Sequence, residues 1–303
     1  LKKAFVFPGQ GSQKAGMGKD LYENFEASAK IFNDANDALG FDLKKLCFEG
    51  PDDQLKLTEI AQPAILTVSI AAFAALNKMP DVAAGHSLGE YSALVCAGVL
   101  EFRDAVRLVN KRGKFMQEAV PVGVGTMAAV IGLDREKLIE CCKKASSVGI
   151  VEAANFNSPG QIVISGDVKA VEEAGRLCKE AGAKRVMPLS VSAPFHCSLM
   201  KPAADKLALE LDKITFNDAK VPVVANVTAK PVTSGKEIKD LLIKQVTGSV
   251  YWEDSVMYMS SRGADTFVEI GSGKVLAGLI KKTVENATIY NIEDSASLKE
   301  IVI

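Results

Sequence analysis

Histidine is scarce in this chain, whose 303 residues contain two, His86 and His196. Any reaction that needs an imidazole base near neutral pH must use one of them. Net charge is missing as well: 36 Lys and Arg stand against 37 Asp and Glu, a formal charge of −1. No basic field or patch suited to nucleic acid is present, so an anionic ligand must be held by a few placed cations. The six cysteines, Cys47, Cys96, Cys141, Cys142, Cys178 and Cys197, have neither C-x-x-C spacing nor the density of a disulfide scaffold. They read as reduced thiols of a cytosol-like compartment, with no metal expected. No apolar run is long enough to cross a bilayer, the longest being Ala64 to Leu76, which suits a buried helix. Lys2 to Phe7 breaks at Pro8-Gly9 before a signal-peptide core could form. Because the chain begins at Leu1 and not at Met, a trimmed leader and an organelle lumen remain open. Internal repeats and low-complexity linkers are also lacking.

What is present is an ordinary globular composition, 48% hydrophobic, enough for one large core or two unequal ones. Val82-Ala83-Ala84-Gly85-His86-Ser87-Leu88-Gly89-Glu90-Tyr91 reads as a short strand, a turn and the start of a helix. Gly85-His86-Ser87-Leu88-Gly89 is the G-x-S-x-G pattern of a nucleophile elbow, where glycines permit a sharp turn and close approach of neighbouring chain. The same residues admit a second reading, since Ser87-Leu88-Gly89-Glu90 is also a helix-capping box.

Lys3–Phe7 is expected to form a strand, followed by the glycine-rich loop Pro8 to Gln13, either a ligand-approaching loop or a plain connection. Helices are expected over 20–39, from Thr58 to about Asn77, and over 101–119. In the last of these the apolar stripe Phe102, Ala105, Val106, Val109, Met116 and Ala119 also contains Arg112. An inward guanidinium needs an anionic partner, which is either a structural carboxylate or a group that arrives with the substrate. From Gly125 the order strand, helix, strand, strand, helix, strand fills about seventy residues, the ferredoxin-like plan. A small domain over 125–193 is therefore expected inside a larger α/β core formed by 1–124 and 194–303. Core strands are expected at Lys3–Phe7, Val82–Ala84, Val221–Asn226 and Thr266–Ile270.

A serine hydroxyl becomes nucleophilic when a base takes its proton. His86 adjoins Ser87 in the turn and should project elsewhere, in a structural role. That leaves His196, where the small domain returns to the core. No Asp or Glu announces itself by position as the group that orients this base.

The separated motifs Phe7-Pro8-Gly9-Gln10-Gly11-Ser12-Gln13, Thr58 with Gln62-Pro63-Ala64, Gly85 to Glu90, Arg112-Gly113-Lys114, Asn157 to Gln161 and Phe195-His196 span nearly the whole chain. Together they resemble the malonyl-CoA:acyl-carrier-protein transacylases of fatty-acid and polyketide synthesis. The resemblance implies an α/β-hydrolase-like core with an inserted ferredoxin-like small domain. It also implies that Ser87 is the acylated nucleophile, that His196 is its base, and that the backbone carbonyl of Gln245 orients that base. Leu88 N–H and the Gln10 loop would form the oxyanion hole, Arg112 would bind the malonyl carboxylate, and Phe195 would favour malonyl over branched acyl units. The implied substrates are malonyl-CoA and phosphopantetheinylated acyl carrier protein, with no further cofactor, in a cytoplasmic monomer. Lys281 and Lys282 match positions used for carrier-protein docking, and read equally as a solvated helix face. The alternatives are an acyltransferase serving polyketide assembly, a serine thioesterase, and a non-catalytic carrier-binding protein.

Overall fold

Ala4 to Phe7 are all completely buried, as an unbroken apolar run demands of a strand covered on both faces. The computed structural model describes residues 2–303, and this strand lies near the middle of its larger sheet. In chain order the strands are β1 (Lys2–Phe7), β2 (Val82–Gly85), β3 (Gly125–Ile131), β4 (Val151–Ser158), β5 (Gln161–Asp167), β6 (Arg185–Pro188), β7 (Val223–Val224), β8 (Pro231–Val232), β9 (Val250–Tyr251), β10 (Ala264–Ile270) and β11 (Thr288–Ile292). With fourteen α-helices among the described residues they make a mixed α/β architecture of two sheets.

The larger sheet has the order β11-β10-β1-β2-β7-β8, parallel throughout except for the β7–β8 pair. Parallel neighbours end at the same edge, and Phe7 of β1 lies opposite Gly85 of β2. The loop that carries Gln10 and the turn that carries Ser87 therefore start side by side. That is where open α/β sheets bind ligands.

The smaller sheet has the order β6-β3-β5-β4-β9. Its side chains alternate as a two-sided sheet requires. Met127, Ala129 and Val163 face the large core, while Ala128, Val130, Ile162 and Ile164 pack on the helices Arg135–Ala145 and Val168–Glu180. The expected alternation of strands and helices is present, and a fifth strand, β9, joins parallel to β4 from beyond the small segment. At this junction Arg135 donates to both carboxylate oxygens of Asp254, at 3.1 and 2.8 Å, and to Glu253 at 3.3 Å. Its guanidinium lies 4.3 Å from the Phe156 ring centroid, and Phe156 in turn stacks on Tyr251.

The helix Thr58–Leu76 is long and apolar enough to cross a membrane, but most of it is buried as the core helix of this fold. Pro63 is its sixth residue, too far in to replace an N–H that would be free in any case. The carbonyl of Glu59, which loses its helical donor to the proline, accepts instead from Asn110 Nδ2 at 2.8 Å. The helix expected over 20–39 is two helices, Lys19–Asn24 and Glu26–Leu39, separated by Phe25 in an extended conformation. Phe25 packs against the core, and no glycine or proline marks that break. The strand expected at Val221–Asn226 shrinks to Val223–Val224, because the chain turns at Ala225, whose carbonyl accepts from Ala229 N–H.

Candidate active site

The turn after β2 is squeezed between neighbours. A Cβ on Gly85 would lie 1.9 Å from the carbonyl of Gly89, and one on Gly89 would lie 2.0 Å from the carbonyl oxygen of Phe7. Only glycine fits both places. Ser87 sits at the apex with φ of 52°, a left-handed conformation that costs a non-glycine residue about 1–3 kcal/mol. Three hydrogen bonds hold it there. Ser87 N–H donates to Asn226 Oδ1 at 2.8 Å, Asn226 Nδ2 donates to the Gly85 carbonyl at 2.7 Å, and Gln245 Nε2 donates to the Ser87 carbonyl at 3.0 Å. At about 0.5–1.5 kcal/mol each, they offset the strain.

The capping-box reading of this turn does not hold. Leu88 is the residue that precedes the helix Gly89–Cys96, and no side chain caps that end. Ser87 Oγ is instead 2.6 Å from His196 Nε2, while Glu90 accepts from Gln245 Nε2 at 2.9 Å and Asn226 N–H at 3.2 Å.

His196, itself at φ of 55° and buried, has its Nδ1 2.9 Å from the backbone carbonyl of Gln245. A carbonyl only accepts, so Nδ1 carries the hydrogen and Nε2 presents its lone pair to the serine proton. Burial, and after it the positive charge of Arg112, push the imidazole down to about 3. The ring is therefore neutral at pH 7, the form a base requires. His86 points away, with Nε2 2.7 Å from Asn157 Oδ1 and its ring near Trp252, which fits the structural role expected of it.

Arg112 is 1% exposed, and its partners are all neutral. Nη1 donates to Gln62 Oε1 at 2.8 Å, and Nη2 donates to Gln245 Oε1 at 3.0 Å and to Ser87 Oγ at 3.3 Å. Nε has no acceptor, and the guanidinium lies 5.2 Å from the Tyr91 ring centroid. No carboxylate is in contact with Arg112: Glu90, whose charge reaches it, gives its hydrogen bonds to Gln245 and Asn226.

A cavity of about 340 Å³ joins these groups, with Gln10, Ser87, Leu88, Arg112, Phe195 and His196 in its wall. Among the described residues, the backbone N–H groups of Gln10 and Leu88 have no protein acceptor, so both remain available to a ligand. Lys281 and Lys282 lie elsewhere, exposed in the last turn of the helix Val275–Thr283. No group of three or more His, Cys, Asp or Glu among the described residues is placed to hold a metal. Sequence reasoning passed over Asn226, which ties both sides of the elbow together. An asparagine two residues beyond a two-residue strand carries no local signal of that role. Gln62 was visible only as part of a motif, and its grip on Arg112 was not.

Residues 4–300 match the acyl transferase domain family. The chain belongs to that family and is an acyltransferase. It is 52% identical over 299 residues to the malonyl CoA-acyl carrier protein transacylase of Escherichia coli strain K12, covering 97% of each chain. The crystal structure of an acyl carrier protein S-malonyltransferase from Vibrio cholerae matches with a TM-score of 0.97 and 48% identity over 99% of both chains. A malonyl-transacylase solved in complex with its holo type II PKS acyl-carrier protein matches with a TM-score of 0.96 and 48% identity, over 99% of this chain and 98% of that one.

Proposed function

We propose that this acyltransferase moves the malonyl group from malonyl-CoA to the phosphopantetheine thiol of acyl carrier protein, supplying fatty-acid synthesis, through a malonyl-serine on Ser87. The observation that carries this reading is the buried guanidinium of Arg112, with no carboxylate in contact, at 3.3 Å from the serine oxygen. A carboxylate one methylene away from the reacting carbonyl would complete it bidentately.

In the first half-reaction Ser87 Oγ attacks the thioester carbon while its proton passes to His196 Nε2. The carbon–sulfur bond then breaks, and the CoA sulfur leaves with that proton. In the second half the carrier thiol gives its proton to His196 and attacks the malonyl-serine carbonyl; the carbon–oxygen bond then breaks, and Ser87 Oγ leaves with that proton. The Gln245 carbonyl holds the imidazole in one tautomer for both halves and stabilises the imidazolium in place of a carboxylate. Leu88 N–H, at a helix N-terminus, and the Gln10 loop are the donors for the oxyanion. Losing one such donor costs about 2.7–4 kcal/mol. Lys281 and Lys282 would meet the acidic carrier protein.

The finer architecture is read as an α/β-hydrolase-like core over 1–124 and 194–303 with a ferredoxin-like small domain over 125–193. The antiparallel order β6-β3-β5-β4 supports this. The protein would work as a cytoplasmic monomer with no cofactor beyond its two substrates. Incubation with malonyl-CoA, with and without holo carrier protein, tests the reading. Malonyl mass on the carrier is expected, whereas free malonate formed equally well without carrier would mark a thioesterase.

A further inference from the structure

The hydroxyl of Ser87 is held from two sides. It donates to His196 Nε2 at 2.6 Å and accepts from Arg112 Nη2 at 3.3 Å. Attack on a carbonyl carbon needs an oxygen lone pair directed at that carbon, and the guanidinium engages one of the two that the hydroxyl has. Its charge also opposes imidazolium formation at His196, where it is the second cause, after burial, of the lowered basicity. The other titratable group whose charge reaches that ring is His86. Both effects slow the same step, in which Oγ loses its proton as it bonds to carbon. The guanidinium has little else to bind: two amide oxygens are its remaining acceptors, it forms no salt bridge, and its Nε is bare.

Resting on the malonyl-transfer reading, we infer that the acid end of the acyl group switches the nucleophile on, because its carboxylate takes from Arg112 the N–H now given to Ser87 Oγ. A carboxylate adds ionic attraction and a second, parallel hydrogen bond that a single hydroxyl cannot offer the guanidinium, so the exchange favours the carboxylate. The same exchange compensates the charge beside His196 and makes that ring a better base. In the malonyl-serine the carboxylate stays on Arg112, which keeps the base effective for the incoming thiol, and it departs with the product. A neutral acyl group leaves the hydroxyl engaged. Arg112 would thus do more than bind the right substrate: it would suppress Ser87 until that substrate is present. Gln62 and Gln245 are positioning residues that hold the guanidinium within reach of both the serine and the substrate.

Acetyl-CoA together with formate divides the malonyl group into its neutral part and its carboxylate. Acetylation of Ser87 by acetyl-CoA is followed by intact mass in the full chain, with sodium formate and with sodium chloride at equal ionic strength. Formate is expected to accelerate acetylation roughly tenfold or more, a fraction of what a well-placed base contributes. In Arg112→Gln, acetylation should already exceed that of the unaltered protein without formate, and formate should add nothing. Equal rates in formate and chloride for the unaltered protein would overturn the inference, and that comparison decides it even where Arg112→Gln does not fold. Malonyl-CoA is run in parallel. Failure to label Ser87 there would defeat the malonyl-transfer reading itself, whereas labelling without formate activation defeats the switch alone.

Discussion

Two arginines in this molecule have opposite surroundings. Arg135, with its side chain 30% exposed, has two carboxylates in contact and an aromatic ring beneath it. Arg112, at 1% exposed, has two neutral amides, a hydroxyl and a ring. The more deeply buried charge is the one with no carboxylate in contact. A structural role would reverse that arrangement, since desolvating a guanidinium is costly unless a nearby anion compensates it. An arginine that is complete ties the junction of two sheets together, and a buried one that is incomplete has a place for something from outside.

The comparison breaks most visibly at Arg112. In Arg112→Met, which fills the volume without the charge, malonylation of Ser87 should weaken by about 2–5 kcal/mol, read as kcat/KM for the first half-reaction. The melting temperature should hold or rise, because an uncompensated charge has been removed. A large fall in melting temperature with normal malonylation would show that Arg112 is a structural cation after all.

Glu90 sharpens the contrast from the anionic side. Burial pushes its carboxyl up to about 7, against the pull of the Asn226 and Gln245 hydrogen bonds and the Arg112 charge. An unfolded glutamate titrates near 4.3, so the native state binds the proton more tightly than the unfolded state. The stability this contributes is fully present below about pH 4.3 and is lost as pH rises through 7. Glu90→Gln keeps an acceptor for both neighbours and removes this dependence. Denaturant melts should show the variant gaining about 1–3 kcal/mol on the unaltered protein between pH 4 and pH 8. A pH-independent difference would contradict the assignment. His196 acts in the opposite direction, since its depressed native value makes stability fall as pH drops from about 6.5 towards 3.

Arg135→Met is the converse of Arg112→Met. Loss of a part-exposed bidentate pair and its ring contact should cost about 1–2 kcal/mol of stability, with the preference for malonyl over acetyl unchanged. A changed preference would mean that the junction between the sheets shapes the acyl cavity. The smallest effect is expected where cations are fully solvated. Lys281→Ala with Lys282→Ala should slow only the transfer to carrier protein, by a few-fold at low salt and less at high salt. Slower acylation of Ser87 by malonyl-CoA would remove both lysines from docking.

Much of this site could be read from residues alone. Glycines on both sides of Ser87 announced a tight turn, and with two histidines in the chain, elimination alone led to His196. The alternation that gives β3 to β6 and their two helices is local and was legible. Elements that depend on distant partners were not. β8, β9 and β11 are short or at sheet margins, and β9 exists because β4 lies beside it. The break at Phe25 follows from what that ring packs against. Arg112 shows the limit most clearly: periodicity placed it inward, but only the folded chain reveals that no carboxylate meets it there. The same holds for Asn226, which bonds to Gly85, Ser87 and Glu90, all far away in sequence.

On the proposed function, the guanidinium of Arg112 beside the nucleophile selects an acyl group with an acid end. Intact-protein mass after exposure to equal concentrations of malonyl-CoA and acetyl-CoA tests it most directly, with Ser87→Ala as the control. The malonyl adduct should predominate, and both adducts should vanish in Ser87→Ala. Equal malonyl and acetyl labelling, or malonyl mass retained in Ser87→Ala, would contradict it.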